Sequence, residues 1–149
     1  MFLSNSPGET KKIGKKAGRE ILKKEGPFVI SLKGNLGGGK TTFVKGLAQS
    51  LGVREEIVSP TFVILKRYMG EKGRVLYHID AYRVEKEDLL NLGLEEFLKD
   101  IDSVVVIEWG DKVEKILPKD RTEVVFEFKS PRERQLIVTS KDGIMTGST

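Results

Sequence analysis

Cysteine is absent from this sequence and histidine occurs once, as His78. The first absence removes a disulfide framework, thiolate metal ligands and a cysteine nucleophile. The second removes a multi-histidine zinc site. No uninterrupted apolar run exceeds four residues, as at positions 104–107, whereas a membrane-crossing helix needs about 20. The first residues, MFLSNSPGET, lack a charged start followed by an apolar stretch, so no secretion signal is expected. Asparagine and glutamine together number five, against a charged fraction of 32%. That balance suits a heat-adapted source and says nothing of function. What remains is a soluble, cytoplasmic chain of 149 residues, at about 100–200 residues per domain a single domain over positions 1–149. Positions 143–149 read as a loose tail.

The net charge of +4 is unevenly spread. Residues 1–50 carry ten basic and three acidic side chains, residues 51–100 eight and ten, and residues 101–149 eight and nine. The basic excess therefore belongs to the first third. Such a field attracts nucleic acid, phosphate or an acidic partner, unless it is only the solvated face of a helix.

Apolar spacing places a helix over residues 10–24, with Ile13, Ala17 and Ile21 on its inner face and Gly26-Pro27 beyond its end. A short strand follows over 28–32, a glycine-rich turn over 34–39, and a helix over 40–51. Strands are expected over 61–68 and 74–79, joined by a turn at 69–73. One long helix is expected over 85–98. Residues 103–107 are almost continuously apolar, which marks a central strand covered on both faces. A short helix and a hairpin, 123–128 with 135–139, close the chain. Strands interleaved with helices imply an α/β sandwich, and the hairpins make its sheet mixed.

Gly34-Asn35-Leu36-Gly37-Gly38-Gly39-Lys40-Thr41 fits G-x-x-x-x-G-K-[ST] residue for residue. Glycines let backbone N–H groups turn inward around an anion. The helix that follows aims its positive N-terminal end at the same point. Lys40 then serves the β- and γ-phosphates, and the Thr41 hydroxyl serves Mg²⁺. The fold expected is a three-layer P-loop NTPase-like sandwich, its central sheet mixed and mostly parallel, with a C-terminal β-hairpin. A magnesium-side carboxylate is required as well. Glu108 and Asp80 each end a strand, and the residues alone do not separate them. His78 reads as a satisfied buried residue or a catalyst, and Trp109 as a core anchor or a lid. Ser59-Pro60-Thr61 lies where a nucleotide-sensing switch would, or is a plain turn. No [NT]-K-x-D guanine clamp occurs, which favours ATP.

These blocks together resemble one family. Residues 34–42, Ser59-Pro60-Thr61-Phe62, His78-Ile79-Asp80-Ala81-Tyr82-Arg83 and Glu108-Trp109 look like the TsaE (YjeE) family of small bacterial ATPases, in its order and approximate spacing. The family more usually has Asp at the position of Asn35 and Ala at that of Gly38, both free positions of the loop. Gly110 follows Trp109, so the family's acidic continuation is shifted to Asp111 or missing.

The resemblance implies a protein that binds and hydrolyses ATP with Mg²⁺ and joins a TsaD–TsaB pair. That machine attaches a threonylcarbamoyl group to the adenosine beside the anticodon of tRNAs reading codons that begin with A. Hydrolysis would reset its cycle. It also implies roles by position. Asn35, Leu36, Gly37, Gly38, Gly39, Lys40, Thr41 and Thr42 hold phosphates, with Thr41 and Glu108 on the magnesium side. Asp80 acts at the γ-phosphate and Thr61 is the switch threonine. Glu9 and Thr10 lie near the base, and Arg132 contacts the nucleotide. No placed arginine finger stands out; such a group is worth about 10³–10⁵ in rate. Slow hydrolysis by the isolated chain is therefore expected, with Arg83 or a partner completing the site. Two other readings remain: a small-molecule kinase, for which 149 residues leave little room, and a basic tRNA-binding module, for which no RNA-binding signature is present.

Overall fold

The structure, a computed structural model, describes residues 1–34, 39–58 and 64–146. Along the chain lie β1 (Phe2–Ser4), α1 (Pro7–Leu22), β2 (Phe28–Gly34), α2 (Gly39–Ser50), β3 (Leu65–Met69) and β4 (Val75–Asp80). There follow α3 (Lys86–Asn91), α4 (Leu94–Lys99), β5 (Ser103–Glu108), a 3₁₀ segment (Gly110–Ile116), β6 (Thr122–Phe128) and β7 (Arg134–Ser140). Positions 35–38, within the expected glycine-rich turn, and 59–63, where the switch motif and the expected start of β3 fall, lie outside the described residues.

The strands form one sheet in the order β1-β7-β6-β2-β5-β4-β3. The middle four, β6-β2-β5-β4, are mutually parallel, and β7 and β3 pair antiparallel at the two sides. The alternation of β2 decides the layers. Phe28, Ile30 and Leu32 join Val104 and Val106 under α1 and α2, while Val29 joins Val105, Ile107 and Tyr77 under α3, α4 and the 3₁₀ segment. Helices therefore cover both faces, as the continuous apolar run of β5 requires. Among the described residues no helix is long and apolar enough to cross a membrane.

Four sequence expectations need correction. Helix α1 begins at Pro7, three residues before the expected start, because Ser6 caps it by accepting from the Glu9 N–H at 3.1 Å. A serine followed by Pro and then Glu is itself a start signal. Strand β1 was not expected; it is three residues long and gains its pairing only from β7. The long helix over 85–98 is two short ones, because Gly93 adopts φ 92° and breaks the hydrogen-bond ladder between them. The tail is not loose where it is described. Ile144 and Met145 are buried in the α1–α2 core, and the Met145 N–H donates to Glu20 at 3.0 Å. Residues 147–149 lie outside the described residues. Among the described residues Arg121 pairs with Glu123, and His78 Nε2 lies 2.6 Å from Glu108 Oε2.

Helices α1 and α2 approach backbone to backbone. A methyl group on Gly46 would run into the Lys11 carbonyl, and one on Gly14 into that of Phe43. Gly→Ala in an open helix stabilises by up to about 1 kcal/mol. Here the sign reverses. Gly46→Ala is expected to destabilise by about 1–3 kcal/mol, as overpacked cores do. A melting temperature unchanged or raised in the variant would show that the helices do not meet this closely.

Candidate functional site

The site is built by strand ends. Leu32 lies opposite Glu108 across the β2–β5 pair, and Glu108 opposite Asp80 across β5–β4. Three parallel strands thus deliver Gly34, Glu108 and Asp80 to one edge, the carboxyl end where open α/β sheets bind ligands. Helix α2 starts at this edge with no acidic residue in its first turn, so its positive end stands uncompensated.

Lys40, the second residue of α2, is buried. Its ammonium donates to the Gly34 carbonyl at 2.8 Å and lies 3.7 Å from the centre of the Trp109 ring. Burial holds its pKa below the ordinary 10.5, and the negative charges of Glu108, Asp80 and Asp111 offset part of that. Trp109 has φ 64°, a left-handed conformation that costs a non-glycine residue about 1–2 kcal/mol. Its N–H donates to the Leu32 carbonyl at 2.7 Å, and its ring meets Tyr82 at a centroid distance of 5.1 Å. Trp109 thus packs against the core beneath α3 and α4 and also covers the lysine.

The acids differ. Glu108 is buried and its Oε2 lies 2.6 Å from His78 Nε2. Asp80 is half-buried and accepts from the Tyr82 N–H at 2.9 Å, closing its own turn. Asp111, one residue past Gly110, has a buried Oδ1 without a hydrogen-bond partner among the described residues. Carboxylate and hydroxyl oxygens are hard donors of the kind Mg²⁺ takes, usually with phosphate oxygens completing its shell. Glu108, Asp80 and the hydroxyl of Thr41 fit that donor set. Among the described residues no three His, Cys, Asp or Glu side chains group to hold a metal by themselves.

Beside the first turn of α2 opens a cavity of about 590 Å³. Thr10, Gly39, Thr42 and Arg132 line it, as do Asn5 and Arg134. It thus gathers the start of α1, the start of α2 and the β6–β7 turn. Thr10 is buried, its hydroxyl 2.7 Å from Ser4 Oγ. Glu9 lines an adjoining groove with Lys12, Lys16 and Arg19, and Asn5 lines both. The basic face of α1 thus adjoins the cavity at Asn5. Arg83 is exposed. Sequence reasoning missed Arg134 and Asn5, although the Ser6-Pro7 start signal would have brought the latter to the helix end.

An anion site and a pair of carboxylates, side by side next to a cavity, can take a polyphosphate with a divalent cation. Comparisons with known proteins point to one family. Residues 4–136 match the family model described as "Threonylcarbamoyl adenosine biosynthesis protein TsaE". Over 135 residues the chain is 39% identical to the tRNA threonylcarbamoyladenosine biosynthesis protein TsaE of Bacillus subtilis (strain 168), covering 91% of this chain and 82% of the relative. It is 40% identical over 137 residues to the protein of the same name from Treponema pallidum (strain Nichols), covering 91% and 97%. Its fold is similar to the crystal structure of Bacillus subtilis YdiB, with a TM-score of 0.75 at 34% identity, covering 93% of this chain and 82% of that one.

Proposed function

The protein belongs to the TsaE family, and from that premise we propose that it is a Mg²⁺-dependent ATPase serving the formation of threonylcarbamoyladenosine in tRNA, in the cytoplasm and together with a TsaD–TsaB pair. The observation that carries this reading is the meeting of Lys40, Glu108 and Asp80 at the first turn of α2, on the ends of adjacent parallel strands.

In this reading the loop N–H groups of residues 35–38, the first turn of α2 and Lys40 bind the phosphates. Thr41 and Glu108 stand on the magnesium side, and bound Mg²⁺ would draw charge from the β- and γ-phosphate oxygens. The cavity lined by Thr10, Thr42, Arg132 and Arg134 takes the nucleoside. Thr61 is the switch threonine. Asp80 orients water for in-line attack on the γ-phosphorus; the bond to the β-phosphate oxygen breaks, and ADP and phosphate leave. Residues 1–149 act as one unit, and any contact with tRNA runs through its basic first third.

The test is ATP hydrolysis by the purified chain alone and then with TsaD and TsaB. The expected result is slow phosphate release without an added acceptor, and faster release together with complex formation when both proteins are present. Neither stimulation nor a complex would overturn the partner assignment. Phosphate transfer to an acceptor in place of release would make the protein a kinase.

A further inference from the structure

His78 is the only histidine of the chain and is fully buried. Water and substrate do not reach it, so it is no direct proton carrier. Its place is nevertheless specific. Side chains at His78, Asp80, Val106 and Glu108 alternate onto the α1–α2 face, and in the parallel register His78 stands opposite Val106, one step before Glu108. That diagonal neighbour is within reach of a long side chain. Nε2 lies 2.6 Å from Glu108 Oε2, while Nδ1 has no hydrogen-bond partner among the described residues. A carboxylate oxygen only accepts, so Nε2 carries the proton. Buried polar atoms are usually paired. This imidazole spends its one bond on Glu108.

We propose that His78 is a positioning residue: it holds Glu108 by one carboxylate oxygen, in one rotamer, so that the other faces the metal and phosphate side of the site. This rests on the reading of Glu108 given above. A glutamate has three rotatable bonds to order, and a partner in the sheet orders them before any ligand arrives. Partners standing behind a metal-side carboxylate are commonly worth about 10–100-fold in affinity or activity.

The experiment uses tag-free full-length protein, in which the imidazole ¹⁵N signals come from His78 alone. His78→Ala, His78→Gln, Glu108→Ala and the His78→Ala/Glu108→Ala pair are compared by ATP turnover with TsaD and TsaB, by ADP binding across a Mg²⁺ titration, and by melting temperature. His78→Ala should lower kcat by about 10–100-fold, leave KM for ATP within about 3-fold and require more Mg²⁺ for half-maximal tightening of ADP. His78→Gln, whose amide nitrogen reaches the place of Nε2, should recover most of this. In the Glu108→Ala background the histidine change should add nothing. The wild-type imidazole should show a single tautomer protonated at Nε2, moved by Glu108→Ala. A folded His78→Ala with normal kcat, a Gln variant as impaired as Ala at equal melting temperature, or two exchanging tautomers would overturn the proposal. If His78→Ala does not fold, the Gln variant and the ¹⁵N signals decide. If Glu108→Ala keeps full turnover and Mg²⁺ dependence, the reading of Glu108 itself fails. A dead Glu108→Ala beside a normal His78→Ala defeats only the positioning role.

Discussion

Lys40→Ala is expected to lower ATP turnover by at least about 100-fold, the loss that follows removal of one well-placed group stabilising transition-state charge, and to leave the fold intact. The first half follows from placement. The ammonium sits in the first turn of α2, beside the two strand-end carboxylates and under the Trp109 ring. No other lysine of α2 is buried there; Lys45 is exposed. The second half follows from energetics. Burial disfavours the charged lysine, as its lowered pKa indicates, and its hydrogen bond is to a single carbonyl, that of Gly34. Alanine is also the best helix former. Melting should therefore be unchanged or slightly raised in the nucleotide-free variant. Turnover and thermal melting of the same preparation check both halves; parental turnover would remove Lys40 from the site. The lowered pKa carries a sign as well. Phosphates need the charged lysine, so ATP affinity should begin to fall, as pH rises, below the ordinary lysine value of 10.5. The alanine variant should lack that decline.

Arg74→Ala carries the largest expected loss of stability, at the opposite edge of the sheet. Its buried guanidinium donates to four backbone carbonyls: Lys24 at 2.5 Å, Gly26 at 2.6 Å, Ile101 at 3.0 Å and Ile21 at 3.3 Å. One side chain thereby ties the start of β4 to the negative end of α1 and to the turn before β5. Its charge meets carbonyl oxygens rather than a bonded carboxylate. Burial pulls its pKa down and Asp102 pushes it back, yet arginine stays protonated in proteins. Removing it takes the charged donor from the Lys24, Gly26 and Ile101 carbonyls, which lie in part-buried places, while the Ile21 carbonyl keeps the Lys24 N–H. A cost of about 3 kcal/mol is expected, since hydrogen bonds to charged groups are worth about 1.5–3 kcal/mol and this side chain makes four. For a chain of this size that is a melting-temperature drop of roughly 6–12 °C. Arg74→Lys should recover only part, because an ammonium cannot fork to four acceptors. Turnover below the melting temperature should be preserved, since Asp80 lies at the far end of β4. Unchanged melting would mean that water replaces the guanidinium without loss.

Legibility followed distance along the chain. Strand β2 and helix α2, on the two sides of the glycine-rich motif, were readable because they follow each other in the chain. The central strand was readable because four apolar residues in a row, 104–107, leave no polar face. The helix over 85–98 was misread because leucines continue through Gly93, whose left-handed backbone outweighs the pattern. Strand β1 was missed because three residues have no strand signal of their own; β7 supplies it.

By itself, then, the sequence determined that this chain has a phosphate loop, two strand-end carboxylates and a lone histidine, since each is a local pattern of neighbouring residues. Only the tertiary structure decided what they touch. The pairing of His78 with Glu108, 30 positions apart, depends on which strands lie side by side and in which register. The cavity joining Thr10, Thr42 and Arg132 depends on α1 crossing α2 closely enough to need glycine at 14 and 46. Backbone hydrogen bonding between strands and close packing between helices bring distant residues together, and neither leaves a mark in the spacing of the residues it joins.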